Sequence, residues 1–505
     1  MSGLDGSLAQ LPSEIVLRIL DYLPPSSVAR LTRASKNWHR FIDDAHQDQI
    51  YFSKTDRPSK KRDLNFLGGT QSFIRYYDGI KCWKELCKKQ TLLKRNWASD
   101  QPWTQEAIVH VFPQSQAIWR FRPDFQNRLF LFTTMHGGIF VKDMDTGSIL
   151  WSLAAVRPFA HLEYDAGWAA WDRTGNAIEI WRLVRDSRTS TELRQIAILQ
   201  HDCETRGFHL IYPTLCVVSV EGRAFVYDIS HDPPKMQTKF GIEAGAVGHL
   251  CQDKTAVVFS LGLKGYHIHC KTSGALLGVL EPQYFATNIY HIRHPQSSNM
   301  SRMNKVYDSK TSPFPLSSSS QDRLVRLELG YGPHSRHTSD YLSPQDDEWG
   351  AGLISDKLMV GISKSGRLLI CSNWPEAMRS RERAAAVSTI IECETDAENF
   401  HLGGWLSLNQ GRVMFEVGDM IYLLSIPEDG IPFVHQTEPL LAMLASGTMP
   451  SVQLSEPISW MGVFDDCVMA TSLILARDPR HVVQYPLDGT YEEKAIRVLS
   501  FAPST

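Results

Sequence analysis

His267 and His269 stand two residues apart, a spacing that puts both rings on one face of a strand and could supply two ligands of a metal ion. His291/His294 and His334/His337 are each three apart. No third ligand lies near any of these pairs, so structural or solvated histidines are the simpler reading. Asp465-Asp466 offers two carboxylates, but neighbours in a strand point to opposite faces, and a loop pair of surface charges is the plainer expectation. The sequence contains no Walker loop, GxSxG elbow or HExxH helix. No catalytic residue, cofactor or metal is therefore assigned.

Cysteines give no site either. They stand at 82, 87, 203, 216, 251, 270, 371, 393 and 467, an odd number without a CxxC pair. Zinc and disulfide frameworks both need spacings that are absent here. Most of these cysteines lie in apolar stretches, where they serve as small core residues in a reducing compartment.

The elements that carry such residues must be read from composition and period. A chain of 505 residues, 43% apolar and 21% charged, is expected to form at least two folding units. The formal net charge of -3 argues against a general nucleic-acid binder, which needs a basic balance to displace counterions. The start Met-Ser-Gly-Leu-Asp-Gly has no basic region followed by an apolar stretch, and no run of 18 apolar residues occurs. A cytoplasmic or nuclear protein without membrane association is expected.

Leu11-Pro12-Ser13-Glu14-Ile15 opens a predicted helix, with apolar residues recurring at Ile15, Val16, Ile19, Leu20 and Leu23. Pro24-Pro25 stops it. Ser26 or Ser27 is expected to cap a second short helix carrying Val28 and Leu31. Ser35 is expected to cap a third, with Trp38, Phe41, Ile42 and Ala45. Three short helices in about forty residues make a poor core. Either a partner protein covers the leftover apolar surface, or the helices form a cap on the rest of the chain.

Residues 54 to 62 form a short basic run, expected to be a solvated linker rather than a nuclear address or a nucleic-acid patch. Ile80, Trp83, Leu86, Cys87, Leu92, Leu93 and Trp97 then mark an amphipathic helix.

Beyond residue 117 the pattern changes to short β-rich runs separated by turns. A strand, a glycine turn and a second strand recur at Gly138, Gly175, Gly222, Gly265, Gly366 and Gly418. The first spacings are 37 (138 to 175), 47 (175 to 222) and 43 (222 to 265). Such a period, with several strands per unit, predicts a β-propeller of about seven four-stranded blades, with six or eight also compatible. Residues 293 to 348 are rich in Ser, Pro, His and Asp, with a serine tetrad at Ser317 to Ser320, and are expected to form a disordered insertion. Ser312-Pro313 and Ser343-Pro344 within it could accept proline-directed phosphorylation.

The whole chain is thus expected to be a multidomain α+β protein: a helical domain at 8–50, a helical linker at 51–116 and an all-β propeller at 117–505. Binding residues of a propeller concentrate on its loops. Arg223, Arg367 and Arg412 directly follow a glycine and Arg173 lies two residues before one. If they occupy related places in their blades, they form a ring suited to an acidic or phosphorylated target. The alternative is ordinary polar turn residues. Trp168, Trp171, Trp349, Trp374 and Trp405 lie near predicted turns, where one or two could line the same face.

The run from Leu11 to Pro25, followed by Val28, Leu31, Ser35-Lys36 and Trp38, resembles an F-box. The resemblance extends along the whole motif and implies docking to the Skp-type adaptor of a cullin-RING (SCF) ubiquitin ligase. It gives the adaptor-binding set as Leu11, Pro12, Ile15, Ile19, Leu20, Leu23, Val28, Leu31 and Trp38, some of which would instead pack internally. Helix-in-groove docking is the recognition mode this implies. The segment from Trp83 to Asn96-Trp97 is similar to the joint between F-box and propeller in F-box/WD-repeat proteins, where a helix acts as a rigid spacer. The Gly-His and Trp-Asp markers of true WD repeats do not recur from unit to unit, each dipeptide occurring once, at Gly248-His249 and Trp171-Asp172. Asp143-Met-Asp-Thr-Gly147-Ser-Ile-Leu-Trp151, echoed weakly at Lys271-Thr-Ser-Gly274, resembles a repeat of quinoprotein-type propellers.

The function these resemblances imply is a non-catalytic substrate receptor that holds a protein target for ubiquitination and proteasomal degradation. A non-degradative F-box scaffold and a quinoprotein-type propeller enzyme are the alternatives.

Overall fold

The computed structural model describes residues 11–56, 61–110, 118–185, 191–243, 248–284, 288–293, 306–308, 324–332, 347–393, 405–417, 420–426, 433–437, 460–477 and 490–503. The chain divides into two compact units. The first comprises residues 1–105 with 464–467 and 500–505, and the second 106–463 with 468–499.

In the first unit α1 spans Ser13–Asp21, with Pro12 in extended conformation just ahead of it. The expected cap of the second helix is corrected: Pro24, not Ser26 or Ser27, is its N-cap, and Pro25 begins α2 (Pro25–Ala34). Proline suits that first position because the amide it lacks would have no helical partner there. Ser35 does cap α3 (Lys36–His39), its side chain accepting the Trp38 amide at 3.2 Å. The chain continues through a wide turn at Arg40–Ala45 into α4 (Gln47–Ser53). Val16, Leu20, Val28, Ile42 and Ile50 form the interior. Lys54, the start of the basic run, closes the end of α1 by donating to the carbonyls of Leu20 (2.8 Å) and Leu23 (2.6 Å).

The amphipathic helix is α5, Trp83–Trp97, burying Trp83, Leu86, Cys87, Leu93 and Trp97 as its period requires. Trp97 stacks on Phe501 at 3.6 Å, and the Asn96 amide donates to the carbonyls of Trp103 (2.7 Å) and Phe501 (2.6 Å). Asp466 is not a surface charge. It is fully buried, accepting from the Ser72 hydroxyl (2.6 Å) and the Phe73 amide (3.0 Å). Burial pushes its carboxyl above the ordinary range.

The second unit is propeller-like, built of four-stranded antiparallel meanders. The first set is Ile118–Asp124, Leu129–Thr134, Ile139–Asp143 and Ile149–Leu153. The second is Leu162–Asp165, Trp168–Arg173, Ala177–Arg185 and Thr191–Gln200. The third is Thr205–Ile211, Thr214–Ser219, Arg223–Asp228 and Lys235–Gly241, and the fourth His249–Gln252, Ala256–Ser260, Tyr266–Cys270 and Leu276–Leu280. A fifth (Trp349–Ser355, Leu358–Ser363, Arg367–Cys371, Ser388–Glu392) and a sixth (Leu406–Asn409, Arg412–Val417, Met420–Ser425, Phe433–Thr437) belong to one ten-stranded sheet. In a further sheet Met461–Val463, Cys467–Arg477 and Thr490–Ser500 pair in order, and Gln105–Val109 pairs with the last of these. The β-region therefore begins at residue 105, within the expected linker.

The first strand of each set contacts the first strand of the next, in sequence from 118–124 to 461–463. Successive sets share apolar layers: Leu131 and Val141 with Leu162 and Trp171, Ile180 with Phe208 and Val217, Val226 with Val257 and Phe259. Tyr266 meets Trp349 in the next layer, and Leu368 meets Phe415 in the one after. Inner strands are covered on both faces and read as continuous apolar runs, such as the wholly buried Leu129–Thr134. Outer strands such as Lys235–Gly241 stay largely exposed and polar. The recurring glycines sit between second and third strands, and Gly138, Gly175, Gly222, Gly265 and Gly366 all take positive φ. Gly418 lies outside the described residues.

The expected insertion is corrected in part. Asn288–Arg293 and Leu324–Tyr331 are strands that pair with each other and bridge the fifth and sixth sets. Val306–Asp308 pairs with Leu475–Arg477. Val325, Leu327 and Leu329 alternate with the exposed Arg326 and Glu328, a period-two pattern that supplies a strand inside a polar stretch. The serine tetrad, Ser312-Pro313, Ser343-Pro344, His294 and His334/His337 lie outside the described residues.

Candidate functional site

On α1 the helical period separates two faces. Val16, Leu17 and Leu20 point into the first unit. Leu11, Ile15 and Ile19 point out, with 39%, 44% and 39% of their surface exposed, and Tyr22 continues the stripe at 81%. Pro12 is exposed, and Leu23 and Leu31 are half-buried. Leu20, Val28 and Trp38 are interior residues. The set read from sequence thus splits into an exposed ridge of Leu11, Pro12, Ile15 and Ile19, two half-buried residues, Leu23 and Leu31, and three interior ones. Tyr22 follows Ile15 at i+7 and Ile19 at i+3, on the same helical period, and was missed because the period was followed only through aliphatic residues to Leu23.

The four arginines of the second unit do not form a ring. Arg173 ends a second strand, and Arg223 and Arg367 begin third strands, so these three share a turn position. Arg412 begins a second strand and lies at the opposite end of its set. The charges of the first three are also paired. Arg173 meets Glu179 (3.3 Å), and Arg223 meets Asp202 (2.8 Å) and Glu221. Arg367 is buried against Asp347 (2.9 Å) and Glu392 (3.2 Å). Arg412 donates to Gln410 (2.9 Å). Acidic residues, most of them outside the turn, neutralise the first three cations, a feature that glycine-arginine adjacency does not reveal.

His267 and His269 share a strand face and are both buried. His269 bonds the Gly274 carbonyl at 3.0 Å and His267 lies 3.6 Å from Glu243. Among the described residues no group of three or more His, Cys, Asp or Glu is placed to hold a metal ion. Trp168, Trp171, Trp349 and Trp374 are buried packing residues.

Trp405 takes part in a cluster that sequence reasoning missed. The Arg120 guanidinium lies 4.1 Å from the Trp405 ring, and the Arg122 guanidinium 4.7 Å from Trp460. Arg122 donates to Glu163 at 2.6 Å, and His161 reaches the same carboxylate at 2.8 Å. His209 and His249 complete the group from the first strands of the third and fourth sets. Burial pushes Glu163 up, but Arg122 and His161 override it and hold the carboxyl well below its ordinary range. Burial pushes His161 and His209 down and takes His249 to about 4. Burial and the like charge of Arg122 push Arg120 down to about 9. The sequence shows these residues one strand ahead of the glycine hairpins, but not that this strand is the innermost.

The F-box-like family profile matches residues 8–49. No curated protein matches the chain. Among solved structures, Saccharomyces cerevisiae Sqt1 is 8% identical with a TM-score of 0.43, over 79% of this chain and 100% of that one. The β-propeller domain of Myceliophteria thermophila Cps50 (Swd1) is 7% identical with a TM-score of 0.44, over 79% and 100%. The WD40 repeats of RRP9 are 9% identical with a TM-score of 0.44, over 78% and 97%. The helical architecture and the profile match agree on the N-terminal part, and the sheet topology describes the rest: the chain carries an F-box-like domain followed by a β-propeller-like region.

Proposed function

We propose that this protein is the substrate-recognition subunit of an SCF-type ubiquitin ligase. The observation that carries the reading is the exposed ridge of Leu11, Ile15, Ile19 and Tyr22 within a profile-matched F-box-like domain. Apolar side chains aligned on one helix face are left for a partner groove to cover. On this reading the Skp-type adaptor covers the ridge, the cullin joins through the adaptor, and ubiquitin transfer belongs to other subunits. The β-region, read as seven blades closed by the pairing of 105–109 with 490–500, holds the protein target. All nine cysteines are free thiols, which supports action in the reducing cytosol or nucleus.

The test is affinity purification of the full chain from cells with the proteasome blocked, beside an Ile15→Ala/Ile19→Ala variant. Adaptor and cullin should accompany the wild type only. Ubiquitinated partners should accumulate with the wild type and lose their ubiquitin with the variant. Partners whose ubiquitination is the same in both would refute a receptor role and favour a scaffold.

A further inference from the structure

Contacts between successive first strands make them the inner lining of the second unit. Arg120, His209 and His249 stand on this lining, on the first, third and fourth sets. Each keeps partial exposure although enclosed by neighbouring groups, as side chains beside a narrow opening do. Among the described residues Arg120 has neither a hydrogen bond nor a carboxylate within ion-pair distance, Glu163 and Asp172 acting on it only from farther away, and its Nε is buried and unsatisfied. Glu163, the nearby acid, is occupied by Arg122 and His161. The Nδ1 atoms of His209 and His249 are likewise buried without a partner.

A buried cation with no carboxylate in contact is costly, and so is each buried ring nitrogen without a partner. Indole faces hold the guanidinium plane but do not neutralise it. We infer that Arg120, His209 and His249 form a binding site for a compact tetrahedral oxyanion of the phosphate or sulfate type. One anion would answer all three deficits through charge-assisted hydrogen bonds. A tetrahedral group suits donors arriving from three different sheets, whereas a carboxylate offers its oxygens in one plane. A small free anion suits donors placed on the lining strands rather than on loops. The site is independent of F-box docking and does not rest on it.

Occupancy should be linked to protons. His249 faces His209, Glu163, Arg120 and His161, and His209 faces Glu163, Arg122, His161 and Lys271. Burial favours the neutral form of both rings. An anion favours their charged forms, so binding takes up protons and strengthens on acidification.

The test is titration calorimetry on the full chain with sodium phosphate, sulfate and acetate, paired with thermal melting. Sulfate serves for the pH series because its charge is constant across the range. The wild type should bind phosphate and sulfate saturably, with acetate weaker by about tenfold or more. Arg120→Gln should weaken phosphate by at least about tenfold without lowering the melting temperature of the anion-free protein. His249→Gln should flatten the gain in sulfate affinity between about pH 7 and pH 5. If Arg120→Gln fails to fold, the His249→Gln series decides alone. No saturable binding by the wild type up to about 10 mM overturns the site, since weaker binding contributes little at cellular concentrations. Undiminished binding by Arg120→Gln, unaltered pH dependence in His249→Gln, or equal affinity for acetate also overturns it.

Discussion

Replacing Ile15 and Ile19 together by alanine is the most informative perturbation of the F-box-like domain. The two side chains retain 44% and 39% exposure in the free protein, so about four-tenths of each remains to be withdrawn from water on docking. Full burial of an isoleucine is worth roughly 1.5–3 kcal/mol, so each position contributes about 0.6–1.2 kcal/mol and the pair about 1.2–2.4 kcal/mol. Affinity for the adaptor should fall about 7- to 50-fold. The fold should hardly notice, because surface changes away from the core usually stay within about 0.5 kcal/mol each. Leu20→Ala is the contrasting control. Leu20 is 1% exposed, and its truncation should cost about 2–5 kcal/mol of stability and lower the melting temperature visibly. The assay is biolayer interferometry of purified full chain against the Skp-type adaptor, with a thermal melt of each variant. Unchanged affinity in the double variant, with its melt also unchanged, would refute the assignment of the ridge as the docking surface.

Arg367→Ala should destabilise by about 3–5 kcal/mol in chemical denaturation, because it leaves Asp347 buried and unpaired, whereas Arg173→Ala at its half-exposed pair should cost at most about 1 kcal/mol. Equal effects would show that Arg367 is not the internal brace described. Gly265→Ala must adopt φ +69 with its Cβ 2.2 Å from the Leu280 carbonyl oxygen, so it should cost well over the roughly 1–2 kcal/mol expected of Gly175→Ala, where φ is +84 and nothing lies within 4 Å. Parallel melts of the two variants check this. In buffer free of phosphate and sulfate, the melting temperature should fall as pH drops from about 6.5 toward 4, because His249 stays neutral when folded while the unfolded histidine takes a proton. His249→Gln should remove about 2–3 kcal/mol of that dependence, and an identical acid profile would count against the buried neutral ring.

Much of this architecture was legible because local signals sufficed. The Ser35 cap and the α5 period depend on neighbours in sequence, and glycine is needed wherever a tight hairpin demands positive φ. What was hidden depends on distant partners. The exposed and buried faces of α1 separate only once α4 and the Lys54 contact are in place. The arginines looked free because Asp347 was taken for part of a loop, and because Asp202 and Glu221 declare their pairing only in three dimensions. Leu324–Tyr331 was hidden by the polar stretches on either side, although its own alternation is strand-like. The Arg120 cluster draws residues from several first strands and two tryptophans, so no single window of sequence contains it.

The central claim is that this chain enters a cullin complex through its F-box-like domain. It is tested most directly by mixing the purified full chain with the Skp-type adaptor and a cullin and measuring mass by size-exclusion chromatography with light scattering. One species containing a single copy of each protein is expected, with the Ile15→Ala/Ile19→Ala chain shifted toward its free position. Adaptor and cullin eluting together while the wild-type chain elutes alone would contradict it.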